Sequence, residues 1–159
     1  MTDDRTDDST GPQATASGVG NGDGSGSTAL VRLADAALTI RPEQDIRGLA
    51  VVDREGEDIG TVDELLVDEG GDHAVRFLEV GSGGFLGIGE DKRLIPVDAV
   101  RKVDEQVHVD TTRTLVAGSP AYDPDVVRAS PADFYGGLYG YYGFTPYWGP
   151  GYVHPGMPW

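Results

Sequence analysis

The run Gly81-Ser82-Gly83-Gly84-Phe85-Leu86-Gly87-Ile88-Gly89 has the glycine density of a loop that cradles phosphate. A nucleotide loop needs either the dinucleotide fingerprint or a closing Gly-Lys-Ser/Thr, and here Glu90-Asp91-Lys92-Arg93 follows instead. The run also joins two strand-like segments, so no helix N-terminus stands ready for an anion. The chemistry left to it is contact. Glycines at positive φ let Phe85, Leu86 and Ile88 either fold back over the neighbouring sheet or stay exposed as a patch for a partner protein.

Other reactive residue types are equally ill-placed for catalysis. His73, His108 and His154 are the only imidazoles, and no pair of them has metal-ligand spacing. Asp53, Glu55, Glu57 and Asp58 crowd one turn without the central Gly and terminal Glu of a calcium loop, which reads as a solvated acidic rim. Ser82 lacks the first glycine and the strand-to-helix turn of an esterase elbow. Ser119 has Pro120 beside it and no base nearby in sequence. Asp63 and Glu64 point to opposite faces of a strand, so they cannot share a proton across a substrate. No catalytic, metal-binding or cofactor-binding residue is therefore assigned, and the chain is expected not to be an enzyme.

Composition narrows the partners. The chain has 159 residues, 27 acidic and 12 basic side chains, a net charge of −15 and no cysteine. Without thiols there is no disulfide scaffold, thiolate zinc site or cysteine nucleophile. The charge disfavours direct nucleic-acid binding, because that affinity comes from Lys and Arg displacing phosphate counterions. Its apolar runs fall far short of the roughly 20 residues a membrane-spanning helix needs. Met1-Thr2-Asp3-Asp4 lacks the basic-then-apolar start of a signal peptide, so a cytoplasmic protein is expected.

The elements that position these residues are short. Residues 1–27 are mostly Asp, Thr, Ser, Gly, Asn and other small residues, with too little apolar area to order themselves, and they read as a disordered acidic tail. Residues 28–44 form a docking or connecting segment. Leu30, Leu33, Ala37 and Leu38 make a partial helical stripe that serves equally as an extended piece before Pro42. Residues 45–123 alternate short apolar segments with turns, the pattern of a small all-β domain of about five or six strands.

Within that domain, residues 49–52 and 59–67 pair across Asp53-Arg54-Glu55-Gly56, with Gly56 at positive φ. Residues 74–80 carry Val75 and Phe77 on one face and Leu78 and Val80 on the other, as a central strand does. Pro96 confines the strand at 93–97 to an edge or a bulge. Residues 100–103 pair with 107–109, and Thr112 caps a short helix at 112–117 that plugs one end of a barrel with Leu115 and Val116. Closing the sheet would remove its exposed edges. The core is thin for its length, and a homodimer would supplement it.

Residues 124–159 read as a Gly/Tyr/Pro-rich low-complexity tail. Most of the chain's aromatics lie there, among them Tyr139, Tyr141, Tyr142, Phe144, Tyr147 and Trp148, spaced by glycines and prolines that argue against any helix or strand. Such rings on an adaptable backbone are adhesive, so these six join Phe85, Leu86 and Ile88 as candidate protein contacts.

The order and spacing of Asp45-Ile46-Arg47-Gly48, of 52–62 (Val52-Asp53-Arg54-Glu55-Gly56-Glu57-Asp58-Ile59-Gly60-Thr61-Val62), of Leu65-Leu66-Val67-Asp68, of the 83–89 loop and of Leu94-Ile95-Pro96-Val97-Asp98-Ala99-Val100 resemble the PRC-barrel family. That family includes the cytoplasmic part of the photosynthetic reaction-centre H subunit and the C-terminal domain of ribosome-maturation factors. The tail from Pro120 onward looks like that of stand-alone bacterial members. The resemblance implies a small β-barrel used as a docking surface, with no catalytic residues and no cofactor to carry over. The expected function is a non-catalytic adaptor that binds a protein partner, or itself, through the barrel surface and the aromatic tail. Two alternatives come with the family: a membrane-side accessory of photosynthetic-type electron transfer, compatible with peripheral membrane contact, and an RNA-processing or ribosome-assembly adaptor. The polar N-terminal segment matches neither the membrane helix of the first relative nor the extra domain of the second.

Overall fold

The computed structural model describes residues 29–36, 39–82 and 91–156. Seven strands follow in chain order: β1 (Val31–Arg32), β2 (Ala50–Val52), β3 (Asp58–Val67), β4 (Val75–Ser82), β5 (Asp91–Pro96), β6 (Val100–Val103) and β7 (Gln106–Val109). They form one sheet in the order β5-β4-β3-β2-β7-β6, and β1 pairs with the far end of β3. All pairings are antiparallel except β2 with β7. The segment whose sequence left helix and strand open is therefore extended at Val31–Arg32.

The β2–β3 hairpin turns at Gly56, whose φ of 86° is left-handed backbone that glycine enters without a Cβ clash. The β5 and β6 strands end the ladder, joined by the 3-10 turn Val97–Ala99. Among the described residues no β5–β6 ladder closes the ring, so the sheet is a curled half-barrel. The expectation of a closed sheet is corrected: among the described residues β5 and β6 are joined by the 3-10 turn without pairing, and Pro96, which has no N–H to give a further ladder bond, ends β5.

The concave side holds the main core, with Val51, Val62, Leu65, Leu78, Val80, Ile95, Val107 and Val109 all buried. The helix α1 (Arg113–Ala117) caps it with buried Val116, while Leu115 is only half-buried. Thr112 Oγ1 accepts from the Leu115 N–H at 3.2 Å, the cap its sequence position predicts. Strand β4 is central, and both of its faces are covered. Val75 nevertheless joins Leu78 and Val80 in the main core while Phe77 faces outward, because a register shift sits opposite at Leu66/Val67.

A second apolar layer covers the convex side. The helices α2 (Pro124–Val127) and α3 (Pro131–Tyr142) lie beyond the barrel, and Tyr135, Leu138 and Tyr139 of α3 pack on Leu66, Phe77 and Leu94. This corrects the reading that no helix survives the glycine spacing of the tail. Burying Tyr135, Leu138 and Tyr139 at i, i+3 and i+4 outweighs the helix-propensity cost of Gly136, Gly137 and Gly140, about 1 kcal/mol each. Pro131 fits the first turn, and Gly143, with φ 83°, ends the helix.

Candidate functional site

Two groups of charged residues meet on the outer face. Arg76 and Glu79 leave β4 on this side, flanking Phe77. Glu79 is 1% exposed, and Arg32 of β1 grips it with two hydrogen bonds, Nε to Oε2 at 3.1 Å and Nη2 to Oε1 at 2.8 Å. Lys92 of β5 lies 3.9 Å from the same carboxylate and pairs with Asp63. Burial pushes the Glu79 carboxyl above its ordinary range, and the Arg32 charge opposes that shift. Glu79 thus neutralises the cation that holds the short β1 strand in place.

Arg76 organises the other end of the layer. Its guanidinium meets Asp72 at 2.6 Å and buried Asp68 at 3.7 Å, and covers the rings of Tyr147 and Tyr152 at 4.4 and 5.8 Å. Beyond it, the Asp98 carboxyl and the hydroxyls of Tyr139, Tyr147 and Tyr152 are all pushed upward by burial. These groups stay protonated longer than free ones, as suits a layer with little water. Two buried polar atoms there, Arg76 Nε and the Tyr139 hydroxyl, have no hydrogen-bond partner.

Arg32 also lines an open groove of about 530 Å³. Leu30, Val31 and Arg32 form one wall, Tyr122, Val127 and Arg128 the other, and Tyr135 lines it between them. The Tyr122 backbone N–H donates to Lys92 O at 2.9 Å, which ties the second wall to the β5 edge. Tyr122 also sits near Phe134, and Phe134 against Tyr135, at 6.4 and 5.6 Å between ring centroids. The walls mix aliphatic and aromatic side chains with three charged ones, Arg32, Arg128 and Asp35. Concave walls of this kind are the usual setting of a binding site.

The structure separates the candidate contact residues. Tyr139 (0% exposed) and Tyr147 (9%) are built into the second core, Tyr139 lying 5.0 Å from Phe77 between ring centroids. Trp148 stands edge-on to both, at 6.1 and 4.9 Å. Tyr142 and Phe144 are half-buried at the junction of the two cores. Tyr141 is exposed, and its hydroxyl donates to Leu115 O at 2.6 Å, fastening α3 to α1. Phe85, Leu86 and Ile88 lie outside the described residues. The groove residues Tyr122, Val127, Arg128 and Tyr135 were not singled out from sequence. The one signal for them is the Tyr122-Asp123-Pro124 step, a helix start placed just past the barrel.

The acidic turn also differs from its expectation. Asp53 is 3% exposed, and its carboxylate accepts backbone N–H groups from Glu55 at 2.8 Å, Glu57 at 2.9 Å and Arg113 at 2.9 Å. Those bonds, the one from Arg113 foremost, hold its carboxyl below the usual carboxylate range. It is a brace between hairpin and helix, while its acidic neighbours Glu55, Glu57 and Asp58 are exposed. His108 is half-exposed and bonded to Asp104 at 3.1 Å. Among the described residues no group of three or more His, Asp or Glu is arranged to hold a metal ion, and no helix is long and apolar enough to cross a membrane.

No curated protein matches the chain in sequence. The family model of the PRC-barrel domain matches residues 43–116, which run from the 3-10 turn before β2 to the last turn of α1 and take in the whole half-barrel. The strand β1 and the helices α2 and α3, which form the groove, lie outside that match. The chain carries a PRC-barrel domain.

Proposed function

We propose that the protein is a non-catalytic docking adaptor, in which the half-barrel is a rigid scaffold and the groove on its outer face receives a partner protein. The observation that supports this reading is the use made of the charged side chains. Asp53, Glu64, Asp68, Arg76 and Glu79 are all buried and each faces a backbone amide or an opposite charge of the fold. None is poised over the groove as an acid or base. What the groove offers is a mixed apolar, aromatic and charged surface on elements added to the family domain. The exposed Tyr141 and the half-buried Phe144 and Trp148 supply secondary contacts on the same C-terminal layer.

A photo-crosslinking amino acid placed at Val126, which is 66% exposed on α2 beside the groove, tests this in cells. The same group at exposed Lys102 on β6 is the control. A discrete protein adduct from position 126, absent from position 102, is expected. Identical adducts from both positions, or none from 126, refute the reading.

A further inference from the structure

The two apolar cores divide the molecule unevenly. The first is built from side chains between Leu33 and Val116, and residues 122–156 add only the partly buried Tyr142 and Phe144 to its border. The second takes Leu66, Phe77 and Leu94 from the sheet and draws most of its other members, Val127, Tyr135, Leu138, Tyr139 and Tyr147 among them, from residues 122–156. Lifting that C-terminal layer would uncover three sheet side chains and leave the first core whole. The PRC-barrel match ends at residue 116, so the layer is no part of the family domain.

The layer's attachment is slight for the surface it covers. Among the described residues it contributes no strand, so no backbone ladder joins it to the sheet. It is tied by isolated bonds, such as the Tyr122 N–H to Lys92 O at 2.9 Å, the Tyr141 hydroxyl to Leu115 O at 2.6 Å and His154 Nε2 to Val75 O at 3.3 Å. Arg76 Nε and the Tyr139 hydroxyl are buried under it without a partner and regain water when it lifts, which lowers the cost of opening. Once lifted, α3 does not persist, because twelve residues holding three glycines fall at the length where even alanine-rich helices are marginal in water. The layer is then either docked and helical or lifted and unfolded. Ring packing on Phe77, at 5.4 Å from Tyr135 and 5.0 Å from Tyr139, and the Arg76 guanidinium over Tyr147 favour the docked state.

We propose that residues 122–156 open as one unit while the half-barrel stays folded, and that this opening makes and unmakes the groove. Tyr122, Val127, Arg128 and Tyr135 belong to the layer, whereas Leu30, Val31 and Arg32 belong to β1 and its approach, so the groove has both walls only in the closed state. If the groove is the docking surface, as proposed above, a partner seated in it binds the closed state alone and draws the layer down by as much as its affinity for the two states differs.

Native-state hydrogen exchange of the full chain, followed by mass spectrometry across a urea series below the unfolding transition, tests the opening. Amides of α3 are expected to exchange at least about tenfold faster than the slowest amides of β3 and β4, and with a shallower dependence on urea, because lifting the layer exposes less surface than global unfolding. Val107→Ala, in the first core on β7, separates the two events again. It speeds the slowest β3 and β4 amides at least about tenfold and leaves α3 within about twofold, since the open state keeps the first core. Equal rates and urea slopes for α3 and the sheet, or α3 quickened in step with the sheet by Val107→Ala, show that the layer opens only when the whole chain unfolds and overturn the proposal. Exchange of α3 at the rate of an unstructured chain overturns it as well, because no closed state is then left to open. The crosslink from position 126 is read separately. An early-opening layer without that crosslink supports the opening and removes the docking reading alone, whereas a crosslink with α3 exchanging in step with β4 keeps the docking reading and overturns the switch.

Discussion

The guanidinium of Arg76 lies 4.4 Å above the ring of Tyr147, joining the central strand of the half-barrel to the segment that follows α3. The same guanidinium is the counter-charge for buried Asp68. One side chain therefore holds the C-terminal layer down and neutralises the sheet beneath it, which couples the added elements to the family domain.

Removing Arg76 leaves Asp68 buried without its cation and strips the platform from Tyr147. Breaking a buried ion pair from one side costs about 3–5 kcal/mol. Arg76→Ala is expected to lose stability on that scale in urea unfolding. Arg76→Lys recovers only part, because an ammonium cannot lie flat on a ring. Adding Asp68→Asn to Arg76→Ala recovers stability relative to the single variant, since no uncompensated charge then remains. Equal stability of Arg76→Ala and the unmodified protein refutes the coupling.

Tyr139 separates ring from hydroxyl. Its ring packs on Phe77, Tyr147 and Trp148, whereas its buried hydroxyl has no partner. Tyr139→Ala is expected to cost about 3–5 kcal/mol, the range for emptying a large aromatic from a core. Tyr139→Phe deletes an unsatisfied group and is expected to be neutral or stabilising by about 1 kcal/mol. Chemical denaturation of the two variants side by side gives the test, and a destabilised Phe variant shows that the hydroxyl is bonded after all.

The half-barrel was legible because its strands obey local rules: alternating apolar residues, a turn closed at Gly56, and a proline where the ladder ends. The outer layer was not, because its rules are tertiary. Residues 131–142 hold three glycines, which by propensity forbid a helix, and only the packing of Tyr135, Leu138 and Tyr139 on Phe77 makes one. Pro131 at the start, Gly143 at the end and the large apolar side chains Tyr135, Leu138 and Tyr139 at i, i+3 and i+4 were present in the sequence as a helix signal. The reading of those rings as free adhesive groups hid it. The groove was invisible for the same reason, since it exists only once α2 and α3 have folded against β1 and the sheet. Asp53 differed in another way: its neighbours suggested a wet rim, and nothing local told that Arg113 would bring an amide to it.

The Asp53 carboxyl is held below its ordinary range by the amides it accepts, so its folded pKa is lower than its unfolded one. A depressed carboxyl contributes stability above its unfolded pKa, about 3.9, and that contribution disappears as pH falls through the folded value. Asp53→Asn, which offers one carbonyl oxygen where two carboxylate oxygens now serve three amides, is expected to melt at a lower temperature at pH 7. Its melting temperature also falls less steeply than that of the unmodified protein as pH drops below about 4. Parallel curves for the two proteins in that acid range refute the brace.

Because α3 forms against the sheet in spite of its glycines, relieving that cost is expected to stabilise the whole layer. Gly137 and Gly140 lie on its exposed face, neither has positive φ, and a Cβ built at either meets nothing within 4 Å. Gly137→Ala and Gly140→Ala therefore add helix propensity without a clash, each worth up to about 1 kcal/mol. Gly143→Ala is the internal control: its φ of 83° is left-handed, so a Cβ there strains the helix end and is expected to destabilise. Urea unfolding of the three variants should move the midpoint up, up and down in that order. Two downward shifts at 137 and 140 refute a helical α3 and return residues 131–142 to an irregular chain.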